Sequence, residues 1–292
     1  MPTANVNGIS INYEIDGEDT GKGTIVLING LADDLLSWGF QIPAFVAAGC
    51  RVLRFDNRGI GKTDRPAGPY TSKLMADDAK ALVDHLGLSG FHLMGVSMGG
   101  MIAQEYAVAH PSDLKSVTLA CTYGKADAFC QTMFAMWADI AKKIDVPFVM
   151  RDVALWAFTG PFFSERAAEA AEFAAAMGAL DMSVDAYLAQ LNVIQQHDAM
   201  SRVGRIPVPT LVLAGEEDIL IPVRLSKDLR EAIPGSHWKT TKGGHACLWE
   251  SPEPFNAAFL DFCPEPSPVS SPERTKPCVV NPTNPSAPWP GG

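Results

Sequence analysis

Apolar positions fall into two rhythms that alternate along the chain. Residues 5–16 alternate apolar and polar positions around Asn7-Gly8, the pattern of a β-hairpin with a tight turn. Residues 24–28 (TIVLI) form instead an unbroken apolar run, which predicts a strand buried on both faces. Similar runs follow at 51–55, 91–94, 116–121 and 210–214, and a short strand is expected at 238–241. Between them the period becomes helical. Residues 72–86 place Leu74, Met75, Ala79, Leu82, Val83 and Leu86 on one face before Gly87, and 98–109 stop at His110-Pro111. Strands alternating with helices predict an α/β fold, a mainly parallel eight-stranded sheet with helices on both faces.

That alternation breaks between 125 and 205. Here the pattern predicts helices alone, with Ser164 as N-cap of an Ala/Glu run ending at Gly178 and Ser183 as N-cap of 184–197. A helical segment inserted between two strands of a parallel sheet is expected to lie as a lid over the strand ends, where ligands bind. The expected division is therefore a core of 1–124 and 206–263 with a lid of 125–205. Residues 264–292 carry nine prolines and no apolar periodicity, which predicts a disordered or polyproline-like tail. PxxP spacings there are what so many prolines produce by chance.

A length of 292 residues with 47% hydrophobic content supports a sizeable core. Net charge is −10, and no cluster of Lys and Arg offers a nucleic-acid footprint, so no nucleic-acid partner is expected. No apolar run approaches the roughly 18 residues of a membrane span, and residues 1–10 lack the basic-then-apolar order of a signal peptide. A cytoplasmic protein that does not engage a membrane is expected, and a homodimer is compatible with the sequence. Six cysteines (50, 121, 130, 247, 263 and 278) show no metal-ligand spacing and are expected to be reduced. Cys247, two residues from His245, reads as packing.

Chemistry concentrates at Gly95-Val96-Ser97-Met98-Gly99, which follows an apolar strand and opens a helix. That context is what a nucleophile elbow requires: a turn so tight that the serine hydroxyl is held out, with glycines two before and two after so that strand and helix can pass. The five-residue pattern alone is weak, arising by chance about 0.1 times in a chain of this composition. A serine needs a base, and the base an orienting carboxylate. Asp218 follows the 210–214 strand, and His245 follows Gly243-Gly244 after the next strand, both in suitable order. His85, His92, His110, His197 and His237 sit in helix ends or strands and read as structural. For an oxyanion hole, the N–H of Met98 is one donor and that of Leu31, in Asn29-Gly30-Leu31, the second. No metal or organic cofactor is needed.

Taken together, LINGLADDLLSW, FDNRGIGKTDRP, GVSMGG, GEEDILIP and GGHACLWESPEPF resemble the α/β-hydrolase superfamily, in the branch of small capped esterases and 3-oxoadipate enol-lactonases. The resemblance covers roughly residues 5–263 and implies Ser97 as nucleophile, Asp218 as acid and His245 as base. Some relatives carry the acid after the strand that ends near Cys121, but Thr122 and Tyr123 stand there. The family's usual His-Gly at the oxyanion loop is replaced by Asn29-Gly30; the enol-lactonase branch also lacks that histidine, and Asn29 and Gly30 are candidates for contact with substrate. A serine rather than an aspartate nucleophile argues against dehalogenase and epoxide-hydrolase chemistry. Asp56, Arg58, Gly59 and Gly61 read as loop scaffold, Asp33 and Asp34, near the oxyanion loop, as able to line the pocket mouth but more simply as solvated or helix-capping, and Glu250 as support for the helix from Pro252.

The stretch 125–205 holds 10 of the 25 aromatic residues and 6 of the 11 methionines, above its share by length. Phe134, Trp137, Trp156, Phe158, Phe162 and Phe163 are candidates for an apolar substrate wall, each also able to be ordinary packing. The expectation is a hydrolase for a small-molecule ester or lactone that is mainly hydrophobic. Carbon–carbon bond hydrolysis with the same three residues, and a slow-turnover ligand receptor, are the alternatives.

Overall fold

In the computed structural model, residues 2–18 and 20–263 are described; the tail expected at 264–292 lies outside them. Eight strands form one sheet: β1 (Thr3–Val6), β2 (Ile9–Asp16), β3 (Thr24–Ile28), β4 (Arg51–Phe55), β5 (Phe91–Val96), β6 (Leu114–Ala120), β7 (Thr210–Gly215) and β8 (His237–Thr241). Their order is β1-β2-β4-β3-β5-β6-β7-β8. β1 pairs with β2, and β2 with β4, antiparallel; every later pair is parallel. Asn7 and Gly8 make the first turn with φ of +47° and +78°, the left-handed geometry that selects Asn-Gly. β3, β5 and β7 are buried at every position because helices cover both faces.

Eleven α-helices accompany the sheet among the described residues. They are α1 (Ile42–Ala47), α2 (Ser72–His85), α3 (Met98–Ala109), α4 (Ala128–Lys143), α5 (Val146–Ala157), α6 (Gly160–Glu165), α7 (Ala167–Gly178), α8 (Val184–Gln196), α9 (Val223–Ala232), α10 (Cys247–Glu250) and α11 (Pro252–Leu260). α1 and α11 cover one face, where the Phe45 and Phe259 rings lie 4.9 Å apart. α2 and α3 cover the other with Met75, Leu82, Met101 and Tyr106. Helices α4 to α8 run between β6 and β7, and a single bridge between Lys125 and Asp198 joins the two ends of that stretch.

Local chemistry explains most helix starts, with one correction. Asp127, Asp145 and Ser183 accept the N–H of Cys130, Phe148 and Ala186 and cap α4, α5 and α8. Ser164 caps nothing. Gly160-Pro161 starts α6 earlier, because proline suits the first helical turn, so Ser164 lies inside that helix and its Oγ donates back to the Gly160 and Pro161 carbonyls. α7 begins after Arg166 with no side-chain cap.

The loop after β4 is scaffold, as its sequence suggests. Asp56 accepts from Asn12 Nδ2, Leu35 N and Lys62 N, and a Cβ on Gly61 would lie 2.3 Å from its carboxylate. Arg58 pairs with Asp78 at 2.5 and 2.6 Å, both side chains buried. His92 and His197 are also buried, bonded to Ser116 and to Ser72 and Gln104. Burial, with Lys115 and Arg202 nearby, pushes them down to about 4 and about 3, so they are neutral structural histidines. Asp78→Ala leaves a buried guanidinium without its partner and should cost roughly 3–5 kcal/mol, read as a lower denaturant midpoint.

Candidate active site

The β5–α3 turn is shaped by what cannot fit beside it. Ser97 takes φ +56° and ψ −120°, a region costly for any residue with a side chain. Its N–H donates to the Ala120 carbonyl of β6, so the sheet holds the strained residue in place. A Cβ on Gly95 would lie 2.1 Å from the Gly99 carbonyl, and one on Gly99 would lie 2.1 Å from that of Ile28. Strand, helix and the end of β3 pass at backbone distance, which requires glycine at both positions.

Asp218 follows β7 and His245 follows β8, so parallel neighbours bring both to the same sheet edge as Ser97. His245 Nδ1 lies 2.8 Å from Asp218 Oδ2, while Asp218 Oδ1 accepts the Ile221 N–H at 2.8 Å. Asp218 is 4% exposed and His245 9%, so the pair is shielded from solvent. With Nδ1 on the carboxylate, Nε2 is the free ring nitrogen, and His245 lines a cavity together with Ser97. Among the described residues the Ser97 hydroxyl has no hydrogen-bond partner. Oγ and imidazole share a space without yet touching.

Backbone crowding also fixes the His245 loop. A Cβ on Gly215 would sit 1.9 Å from the Gly244 carbonyl, and one on Gly244 would sit 2.5 Å from that of Ala157. Glu250, expected to support α11, acts elsewhere: its carboxylate accepts from Gly244 N at 2.5 Å and from Thr159 N and Oγ1 at 2.8 and 2.7 Å. It thereby ties the His245 loop to the α5–α6 connection. Cys121 Sγ lies within 4.8 Å of the facing Asp218 and His245 ligand atoms. The Cys247 thiol 3.5 Å away, and burial, hold Cys121 well above the ordinary thiol range, so it is a neutral thiol beside the pair.

The N–H groups of Leu31 and Met98 donate to no acceptor among the described residues, whereas Ala32 N is taken by Gln190 Oε1 of α8. Nothing in the sequence around Gln190 singles it out. Gly30 lies against the serine: a Cβ there would be 3.5 Å from that of Ser97 and 2.8 Å from Asp33 Oδ2. Asn29 faces away from the cavity. Its Oδ1 accepts from Trp38 Nε1, its Nδ2 donates to the Asp33 carbonyl, and it is 1% exposed, so a substrate contact by its side chain is not available.

The inner cavity, of about 70 Å³, is lined by Leu31, Met101, Phe134, Trp137, Met150 and other apolar side chains around Ser97 and His245. Of the expected aromatic wall, Phe134 and Trp137 are on it. Trp156 is not, because its Nε1 turns to Asp152 and its ring packs on Phe129. Phe158 and Phe162 stack 4.3 Å apart on a wider outer groove of about 550 Å³. Asp33, Phe173, Met177 and Trp249 line both spaces. Of the two readings open for the aspartates, Asp33 takes the pocket-mouth one and Asp34 the capping one. Asp34 caps the turn at Leu35–Trp38, but Asp33 points into the cavity, where burial and Asp34 push it up to about 7 against a lowering by His245.

The sequence profile of the α/β-hydrolase fold matches residues 23–252. The chain is an α/β-hydrolase. This α/β-hydrolase is 30% identical over 266 residues to an Azorhizobium caulinodans protein provisionally named carbamate hydrolase RutD, covering 91% of this chain and 99% of the relative. It is 31% identical over 257 residues to a Mycobacterium tuberculosis protein provisionally named non-heme bromoperoxidase BpoC, covering 86% and 97%. The crystal structure of an enol-lactonase from Burkholderia xenovorans LB400 superposes with a TM-score of 0.82 at 28% identity, over 89% of this chain and 99% of that one. No helix among the described residues is long and apolar enough to cross a membrane.

A carboxyl held above its unfolded value binds protons more tightly when folded, so it destabilises the fold as pH rises from about 4 to about 7. Asp33→Asn should therefore raise stability at pH 8 by on the order of 2 kcal/mol and lose that advantage near pH 4, read as paired melting temperatures.

Proposed function

We propose that this α/β-hydrolase is a serine carboxylic ester hydrolase or lactonase, with Ser97, His245 and Asp218 as its catalytic triad. One observation carries the reading. A serine held at positive φ and an imidazole fixed by a buried carboxylate open onto the same apolar cavity. The enol-lactonase likeness at 28% identity supports an acyl-transfer chemistry of this kind.

Ser97 Oγ attacks the ester or lactone carbonyl and its proton passes to His245 Nε2. Rotation about the serine side-chain torsion, with substrate filling the cavity, brings Oγ within reach of the ring; such contacts commonly tighten only in the complex. The tetrahedral oxygen accepts from the Leu31 and Met98 N–H groups, which donate to nothing else among the described residues. Asp218 holds the proton on Nδ1 and steadies the imidazolium. His245 then protonates the leaving alkoxide, a water takes its place, and the same proton path returns the free acid and Ser97. Helices α4 to α8 act as the lid, contributing Phe134, Trp137 and Met150 to the wall that holds an apolar acyl or ring group. Gly30 lets the loop approach the nucleophile.

Ser97→Ala should lower kcat for p-nitrophenyl butanoate by at least about 10³-fold with an unaltered melting temperature; turnover equal to that of the unmodified protein refutes the assignment.

A further inference from the structure

The cavity that holds Ser97 and His245 is apolar except for one further group. Asp33 lies beside the nucleophile, since a point 2.8 Å from its Oδ2 is only 3.5 Å from Ser97 Cβ. Its main-chain carbonyl accepts from Asn29 Nδ2, but among the described residues no donor meets its carboxyl oxygens. No Lys or Arg lines the cavity. A carboxyl placed in an apolar space without a donor is a group whose partner the protein does not supply. It stands where the inner cavity meets the outer groove, so any ligand that reaches Ser97 through that groove passes it.

We infer that Asp33 is a specificity-determining residue that selects substrates bearing a hydroxyl, amide N–H or ammonium within a few bonds of the scissile carbonyl, and rejects substrates bearing a carboxylate there. The inference rests on the ester-hydrolase reading and narrows its substrate class. A site built to accept a hydrogen bond discriminates strongly, because the analogue that cannot donate leaves the acceptor desolvated and unpaired. A carboxylate fares worse, meeting like charge in a space without a compensating cation. The lactone of a diacid keeps one free carboxylate, so the substrate of the enol-lactonases that the sequence resembles is a poor fit to this wall.

The titratable and charged groups around Asp33 are Asp34 on its own loop and His245 on the β8–α10 loop, with Arg166, Glu169, Glu172 and Asp181 further out along the groove. Asp33 lies at about 7, so it donates as a neutral acid below that pH and accepts as an anion above it. Charge selection should therefore sharpen between pH 6 and 8.

The test uses four methyl esters, three of matched size (butanoate, 3-hydroxypropanoate and 3-aminopropanoate) and the slightly larger monoester of succinate. At pH 8 the amino ester should exceed the succinate ester in kcat/KM by at least about 100-fold, and the hydroxy ester should exceed butanoate. Asp33→Asn should compress the amino-to-succinate ratio about tenfold or more and flatten its dependence on pH; Asp33→Ser gives the same comparison should the amide variant fold poorly. An unchanged ratio, or a preference for succinate in the unmodified protein, overturns the inference. Absence of turnover of every ester defeats the hydrolase reading separately. In that event calorimetric binding of the same esters to Ser97→Ala protein, with and without Asp33→Asn, still decides: loss of amino-ester binding with Asp33 upholds the inference, and binding that ignores Asp33, or none, overturns it.

Discussion

Everything at the centre of this molecule depends on a peptide crossing in which there is no room for a side chain. β5 must turn into α3 within one residue, while the end of β3 passes on the other side of the new helix. Gly95 and Gly99 leave carbonyls only 2.1 Å from where a Cβ would stand, so packing density sets the turn. The residue at its apex then has no choice but positive φ. The strain is sustained by the middle of the sheet, where the Ser97 N–H bonds to Ala120 and the next strand's Cys121 N–H bonds to Leu213. An exposed edge could not over-determine the conformation in this way. A strained serine belongs on a central strand for the same reason that its neighbours are buried at every position.

The second half of the site obeys the same rule one layer out. Gly215 and Gly244 touch through backbone atoms, which sets the distance between the β7 and β8 loops and hence between Asp218 and His245. Glu250 then fastens the His245 loop to Thr159, and Ala246 donates to the Ala157 carbonyl. The imidazole is thus positioned jointly by the sheet and by the helices over it. Those helices do more than cover the cavity, because displacing the α5–α6 connection would move His245. Gln190 links α8 to the loop after β3 in a parallel way, through Ala32 N, and to the Arg58 carbonyl.

What could be read from sequence follows from how local each constraint is. The buried strands were legible because burial on both faces leaves a continuous apolar run, and the hairpin because only a few residue pairs suit its turn. Ser97 was legible because steric exclusion writes glycine at fixed offsets. Asp218 and His245 carried weaker marks, a Gly-rich loop after a strand, and needed the order along the chain. Asp127 and Asp145 show caps of ordinary local type, while Ser164 misled because Pro161 had already started the helix. Trp137 and Trp156 look alike in sequence and both donate to Asp152; that the first lines the cavity while the second packs on Phe129 is set by tertiary packing, which no local pattern reports. Glu250 and Gln190 have partners 91 and 158 residues away, and no pattern of short range reports such contacts.

Asp33 shows the limit most sharply, since two adjacent aspartates in a polar loop meet different partners. Asp34 turns to the Leu36 N–H and behaves as a cap. Asp33, one residue earlier, faces a space enclosed by Phe173, Met177 and Trp249, and burial raises its carboxyl to about 7. A surface carboxylate would be held charged by water, and a structural one by donors. This one is only partly buried, yet among the described residues no donor meets it, and the His245 imidazole nearby offsets only part of the cost. Apolar walls thus make the single polar wall more selective: the less the cavity can solvate, the more the missing hydrogen bond must come from whatever enters it.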